Sequence, residues 1–235
     1  MLGKETITKA EDILYMLDHL LEEKRKFNWD VFYSDRSRNI PFFEDLPDEN
    51  LVHYINNDLI KPGTVLELGC GPGRNALFLA ANGFSVDAVD LSDEAITWAK
   101  ERASKQNLTV NFVKENIFEM KIDKNSYDLV YDSGCFHHIA PHRRLSYLEL
   151  LKKALKPGGM FALTCFVPGG SLGGSDLTDW DVYREMSLSG GLGFTEEKLK
   201  QIFLDFQVVE IRRMNDTKEF FGNSNLNTAL FRKNE

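Results

Sequence analysis

The spacing of hydrophobic and polar positions changes character near Pro62. Before it, Ile13, Leu14, Leu17, Leu20 and Leu21 recur at the three-and-four spacing of a single helix face. Thr8-Lys9-Ala10-Glu11 stands ahead of them with the Thr-x-x-Glu form of a capping box, so the pattern predicts a helix opening at Thr8. The stripe fades in the charged run 22–26, and Phe27-Asn28-Trp29-Asp30-Val31-Phe32-Tyr33 then packs four aromatic residues into one short stretch. A second short helix is expected over 50–58. Beyond Pro62, short apolar runs predict strands at 65–68, 86–89, 110–113, 128–131 and 160–166. Helices are expected between them at 76–81, over 92–105 with Ser92 as cap, and after Pro141. That last helix carries Leu145, Leu148, Leu151 and Leu155 and is expected to close at Lys156-Pro157-Gly158-Gly159. The tail reads as a helix over 195–204 and strands over 208–213 and 228–231. Strands alternating with helices imply a parallel sheet covered on both faces, with right-handed crossovers.

The stretch 166–195 fits neither period and is rich in glycine (Gly169, Gly170, Gly173, Gly174, Gly190, Gly191, Gly193). A connection of that length inside a domain is functional or mobile, or else an insertion without fixed structure. The organisation expected is a helical cap over 1–59 and an α/β unit over 60–235, forming one compact domain. The formal charge of −8 repels phosphate backbones and anionic lipid, which argues against nucleic-acid or membrane partners. No apolar run nears the ~18 residues of a membrane span. Met1-Leu2-Gly3-Lys4-Glu5-Thr6 lacks a basic start with an apolar signal core. Cys70, Cys135 and Cys165 read as buried free thiols of a reducing compartment. A cytoplasmic protein is expected.

The informative motif is Glu67-Leu68-Gly69-Cys70-Gly71-Pro72-Gly73, at the end of the first predicted strand. Glycines there allow unusual dihedrals and close approach of a ligand, and the following helix aims its N-terminus at the same space. Asp90 ends the next strand, 17 residues past Gly73, where a carboxylate can accept from both hydroxyls of a ribose. The pair implies a nucleoside-bearing cofactor. Gly71-Pro72-Gly73-Arg74-Asn75-Ala76 also fits the G-x-G-x-x-A dinucleotide fingerprint, so an NAD(P)-dependent oxidoreductase is the competing reading. Glu67 weighs against it, because a carboxylate repels a pyrophosphate and tolerates the sulfonium and ammonium groups of S-adenosylmethionine.

Four stations in order resemble the class I S-adenosylmethionine-dependent methyltransferases. They are the glycine motif, Val89-Asp90-Leu91-Ser92, Tyr127-Asp128-Leu129-Val130-Tyr131-Asp132, and Leu155-Lys156-Pro157-Gly158-Gly159. The resemblance implies a Rossmann-like, three-layered, seven-stranded, mostly parallel sheet whose last strand is antiparallel. By the same resemblance Glu67, Gly69, Cys70, Gly71 and Gly73 lie against the methionine part and ribose. Asp90 takes the ribose hydroxyls, Leu91 covers one adenine face, and Asp132, Ser133 and Gly134 border cofactor and substrate. Asn116-Ile117 stands where the family usually has an aspartate and an apolar residue reading the adenine amine, with Glu115 as the other possible reader. Trp29-Asp30-x-x-Tyr33 is similar to the cofactor-capping segment of thiopurine- and tellurite-type small-molecule methyltransferases, which makes Trp29 a candidate contact; the bland reading is that Trp29, Phe32 and Tyr33 merely pack the helix down.

Catalytic candidates are His137 and His138 in Phe136-His137-His138-Ile139, as groups that polarise or deprotonate a substrate, against the alternative that they bond the backbone and cap a helix. His138 and His142 are separated by Pro141, so they share no helix face and no metal site is expected. The glycine-rich segment, with Trp180 and Tyr183, is a second expected source of substrate contacts. The expected activity is in-line methyl transfer to a small molecule, with a cofactor-binding regulator that lost its chemistry as the non-enzymatic alternative.

Overall fold

The computed structural model describes residues 6–24 and 27–235; the reading of the extreme N-terminus and part of the charged run 22–26 lie outside the described residues. The sequence pattern resolves into helices α1 (Ala10–Glu22), α2 (Trp29–Ser34), α3 (Glu49–Asn56), α4 (Arg74–Ala81), α5 (Asp93–Gln106), α6 (Arg144–Ala154), α7 (Asp179–Glu185) and α8 (Glu196–Ile202). Strands are β1 (Thr64–Leu68), β2 (Ser85–Asp90), β3 (Asn111–Lys114), β4 (Tyr127–Ser133), β5 (Leu155–Phe166), β6 (Phe206–Arg213) and β7 (Leu226–Lys233). They form one seven-stranded sheet in the order β3-β2-β1-β4-β5-β7-β6. All pairings are parallel except those of β7, which runs antiparallel to both β5 and β6. This is the α/β, Rossmann-like architecture the sequence implied, with helices against both faces of the sheet.

Each face carries its own core. Leu66, Leu68, Val130, Phe161 and Phe231 bury one side with Tyr147 and Leu151 of α6 and Phe203 beyond α8. Val65, Ala88, Leu129 and Tyr131 bury the other with Leu77 of α4, Ala99 of α5 and Tyr54 of α3. Strand alternation sends neighbouring residues to opposite faces, so both sides of the parallel strands must be apolar, as their near-continuous hydrophobic runs indicate.

Several local expectations are corrected. Helix α1 begins at Ala10, and Asp12 rather than Glu11 closes its cap: Thr8 N, Thr8 Oγ1 and Lys9 N all donate to Asp12 Oδ2. Its stripe is shallow, with Ile13 and Leu20 exposed, because α1 lies over the edge of the molecule rather than in a core. Pro141 opens a single 3-10 turn (Pro141–Arg143) that leads into α6. The Lys156–Gly159 stretch lies within β5, not in a turn, and the pairing with β4 shifts register there. Leu145 is exposed; α6 buries Tyr147, Leu150, Leu151 and Ala154 instead. Cys135 is only half-buried.

The glycine-rich 167–194 segment is ordered by its own backbone. Ser175 N donates to Gly191 O and Gly193 N to Ser175 O, while Leu192 N donates to His137 O, fastening the segment to the loop after β4. The pattern was aperiodic because glycine there serves close packing: a Cβ at Gly193 would sit 2.5 Å from Pro168 Cα. Trp180 is 75% exposed, and the Tyr183 hydroxyl bonds His142.

No helix among the described residues is long and apolar enough to cross a membrane. Among the same residues, no group of three or more His, Cys, Asp or Glu is placed to hold a metal ion.

Candidate functional site

The sheet order reverses between β1 and β4, and the crevice at such a switch point lies beyond the C-terminal strand ends. The glycine motif leaves β1 into that crevice. Gly69, Gly71 and Gly73 have φ of +67°, +51° and +80°, which disfavours any side chain. Each also meets a neighbour. A Cβ at Gly69 would lie 2.7 Å from Cys135 Cβ, at Gly71 3.0 Å from the Tyr33 hydroxyl, and at Gly73 2.9 Å from Phe112. The three glycines thus fit the turn against the β4 loop, the cap and the α5–β3 layer.

The hydrogen bonds of this turn decide what it can bind. Cys70 N donates to Val89 O, Gly73 N to Cys70 O, and Gly71 N to Asp90 Oδ2 at 2.8 Å. The other oxygen of Asp90 accepts from Ser92 N at 2.9 Å. Asp90 is 8% exposed, and burial pushes its carboxyl up despite those amides. Glu67 is fully enclosed below the turn. Burial pushes its carboxyl well above the usual range, against the pull of Arg74 and of the Ala76 amide in the first turn of α4. Glu67 Oε2 has no hydrogen-bond partner among the described residues. Two carboxyl groups of the chain therefore occupy the positions where a phosphate would seek loop amides and a helix N-terminus.

Arg74, which sequence reasoning passed over as one position of a fingerprint, organises the far side. Its guanidinium pairs with Asp48 at 2.5 Å, donates to Leu46 O at 2.9 Å and to Ser133 Oγ at 3.1 Å, and lies 4.4 Å over the Phe221 ring. Asp48 also accepts from the Tyr131 hydroxyl at 2.5 Å and from Asn75 Nδ2 at 3.1 Å. The local signal was an arginine at a helix start, where its charge opposes the helix dipole and so needs a buried anion. Nothing in the sequence says that anion is Asp48.

Asp132 sits beside Ser133 but turns beneath the following loop. Its oxygens accept from Cys135 N (2.9 Å), Phe136 N (3.2 Å) and the Tyr147 hydroxyl (2.6 Å), and burial pushes its carboxyl up to about 7. Leu91 projects from the end of β2, 52% exposed. Asn116 Oδ1 accepts from Phe118 N, while Ile117 is buried in the core with Leu68 and Val89.

The cap reaches over the crevice. Asp30 of α2 accepts from Ser92 Oγ at 2.6 Å, fastening α2 to the N-cap of α5. Tyr33 is buried over Gly71, and Trp29 stacks near Tyr33 at 6.0 Å and meets the His138 ring edge-on at 5.1 Å. His137 stacks flat on Phe166 at 3.6 Å between centroids, and its Nδ1 accepts from Phe166 N. That bond places the proton on Nε2, and burial together with His138 holds its pKa well below the ordinary value. His137 is a neutral, structural imidazole and a poor base; His138, half-buried beside Trp29, is the histidine nearer the cap. His142 lies elsewhere, between Asp18 of α1 and Tyr183 of α7.

Residues 65–159 match the family described as a methyltransferase domain. Over those residues the chain is similar to methyltransferases. The chain is 40% identical over 75 residues to an uncharacterized methyltransferase of Schizosaccharomyces pombe, 32% of this chain and 52% of that protein. It is 28% identical over 152 residues to the probable S-adenosyl-L-methionine-dependent methyltransferase TehB of Haemophilus influenzae, 65% of this chain and 49% of that one. The chain spans about half the length of the curated relatives it matches. Its fold is shared with the 1,6-didemethyltoxoflavin-N1-methyltransferase of Burkholderia thailandensis, with a TM-score of 0.66 and 22% identity, covering 99% of this chain and 94% of that one. Of the motif stations, the glycine turn, Asp90–Ser92 and Asp132 stand at the C-terminal strand ends, whereas Leu155–Gly159 stands at the opposite end of β5.

Proposed function

We propose that this methyltransferase domain binds S-adenosylmethionine at the β1–β2 edge of the crevice and passes its methyl group to a small molecule admitted under the cap. One observation carries the reading: the amides of Cys70, Gly71 and Gly73 in the glycine turn are bonded within the protein, and carboxyl groups stand where a dinucleotide needs donors. A pyrophosphate there would face Asp90 and Glu67 with the amides of Cys70, Gly71 and Gly73 already bonded, and the nearby guanidinium of Arg74 is already paired with Asp48. A cofactor without phosphate, whose ammonium and sulfonium groups are cations, meets the opposite situation. The unpartnered Glu67 oxygen gains a donor, and an orphaned buried acceptor otherwise costs ~1–3 kcal/mol.

Glu67, Gly69, Cys70, Gly71 and Gly73 would hold the amino-acid and sugar portions, Asp90 the ribose hydroxyls, and Leu91 with Asn116 and Ile117 the adenine edge. Asp132 and Ser133 would set the floor between cofactor and acceptor, the first by ordering the Gly134–Phe136 backbone. Trp29 and Tyr33 would close the cap and exclude water. When bound, the cofactor supplies an activated methyl group: an acceptor lone pair makes the new bond to carbon, the breaking C–S pair stays on sulfur as a neutral thioether, and the acceptor's proton leaves to water or a base. Positioning carries most of the rate, since the donor is already activated. His138 would relay that proton.

The neighbours support a small-molecule acceptor, because the bacterial enzyme sharing this fold is described with bound 1,6-didemethyltoxoflavin and S-adenosylhomocysteine. The test is calorimetric titration with S-adenosylhomocysteine and NADH, followed by mass spectrometry of a metabolite extract incubated with methyl-labelled cofactor. S-adenosylhomocysteine binding with a labelled product supports the proposal. NADH binding in its place would transfer the site to an oxidoreductase, and binding without product to a regulator.

A further inference from the structure

We propose that His137 orients the methyl acceptor as a hydrogen-bond donor: its Nε2–H holds a neutral carbonyl oxygen that sits beside the atom to be methylated. The substrate class that follows is an α-hydroxy, α-amino or α-thio carbonyl compound; this rests on the methyl-transfer reading above.

Several contacts fix the imidazole. One face lies on Phe166 at 3.6 Å between centroids, and Phe166 N donates to Nδ1 at 3.3 Å. Gly191 makes room for the Cδ2 edge, since a Cβ there would lie 3.3 Å from Cδ2. Leu192 N donates to His137 O at 2.8 Å and pins the loop itself. The edge that remains, Cε1–Nε2, faces Gly134 just past the end of β4, where a Cβ would stand 3.5 Å from Cε1 and 3.9 Å from Nε2. Ser133, Gly134, Cys135 and His138 are each half-buried, so this side of the loop meets the crevice. His137 itself is 4% exposed, and with Nδ1 accepting, Nε2 carries the proton. Among the described residues that N–H has no hydrogen-bond partner. Nε2 is nevertheless not one of the fully enclosed unpartnered polar atoms, a group that holds Glu67 Oε2, so it retains accessible surface. Leaving so buried a donor unpaired is costly, and a ligand oxygen that meets it recovers the loss.

The oxygen selected is neutral. Burial, with His138 beside the ring, holds the His137 pKa well below the ordinary value, so the donor is an uncharged imidazole rather than a cation. Asp132, which accepts from Cys135 N and Phe136 N under the same loop, would repel a carboxylate once ionised. A donor placed on the nucleophilic atom would occupy its lone pair, so the bond belongs on the neighbouring oxygen. There it withdraws electron density from the acceptor's O–H, N–H or S–H and aims the reacting lone pair. In the transfer that lone pair forms the bond to the methyl carbon and sulfur keeps the electrons of the broken C–S bond. The acceptor's proton leaves to water, and His137 keeps its own.

The experiment compares hydroxyacetone with methallyl alcohol, which carries a methylene in place of the carbonyl oxygen, on the chain saturated with S-adenosylhomocysteine. Binding and the imidazole signals are read together in proton–nitrogen correlation spectra of histidine-labelled protein. The expected result is a His137 proton on Nε2, a shift of that N–H on adding hydroxyacetone, and binding roughly tenfold or more tighter than that of methallyl alcohol. His137→Phe, which keeps a flat ring on Phe166, should bind the two alcohols equally. His137→Gln, whose amide restores a donor, should regain part of the preference. Titration with S-adenosylhomocysteine reports whether each variant is folded; where one is not, the wild-type spectra decide. A proton on Nδ1, equal binding, binding of neither, an unmoved Nε2–H, or a preference kept by folded His137→Phe overturns the proposal. Failure of the wild-type chain to bind S-adenosylhomocysteine overturns the methyl-transfer reading instead, and hydroxyacetone titrated without it separates the two.

Discussion

Replacing Arg74 by methionine is the perturbation with the most direct structural consequence. Arg74 is 7% and Asp48 0% exposed, so the substitution leaves a carboxylate in the interior without its counter-ion. Among the described residues, Asp48 keeps only the Tyr131 hydroxyl and Asn75 Nδ2 as donors to its carboxylate. Breaking one half of a buried pair costs ~3–5 kcal/mol, most of it the stranded charge rather than the lost attraction. At ~2–4 °C per kcal/mol for a chain of this length, the melting temperature should fall by roughly 6–20 °C. The second arm removes the charge as well. In Arg74→Met/Asp48→Asn the side-chain oxygen still accepts from Tyr131 and Asn75, nothing charged remains buried, and at least half the loss should return. Urea unfolding of both single variants and the double variant at neutral pH supplies the cycle, valid if the denaturant slope is unchanged. A loss below about 1 kcal/mol for Arg74→Met, or single effects that simply add, would refute the reasoning.

Asp90→Ala should weaken S-adenosylhomocysteine binding at least ~10-fold in calorimetry while the circular dichroism spectrum is kept, and unchanged affinity would reject the ribose assignment. Asp132 has a folded-state pKa of about 7, above its ordinary 3.8, so the native state holds a proton that the unfolded chain releases first. Its contribution to stability is present below about pH 4 and is lost as pH rises toward 7. Asp132→Asn, which keeps an acceptor for Cys135 N and Phe136 N, should therefore gain more at pH 8 than at pH 5, by on the order of 2–3 kcal/mol in urea unfolding; equal gains at the two pH values would contradict this. Asp18 ties α1 to His142 and Arg143, and those bonds hold its carboxyl below the usual range against the opposing effect of burial, the largest influence. That support is present above pH ~4 and fades as pH falls through the lowered value. At neutral pH, Asp18→Asn should make limited proteolysis within α1 several-fold faster, and an unchanged cleavage rate would show that the ion pairs do not anchor the helix.

Much of the fold was legible because the sheet leaves periodic traces. Parallel strands buried on both faces read as apolar runs, and Gly69 to Gly73, Asn82-Gly83 and Ser92 mark where chain direction changes. Element ends were less legible: the Lys156–Gly159 stretch has turn composition, yet it lies inside β5 as an irregularity between Leu155 and Met160, which both pair with β4. Glycine content made 167–194 look structureless, whereas those glycines let Phe166 and Val167 pack against the returning backbone.

The candidate site divides in the same way. Sequence alone determined the glycine turn, the acid at the end of β2 and the acidity that disfavours phosphate, because each depends on residues near one another along β1–α4–β2. Only tertiary structure decided that Gly71 N turns to Asp90, that Asp48 neutralises Arg74, and that His137 is locked neutral on Phe166. Those outcomes join residues 19, 26 and 29 positions apart, and burial, which no local pattern encodes, sets their charge states.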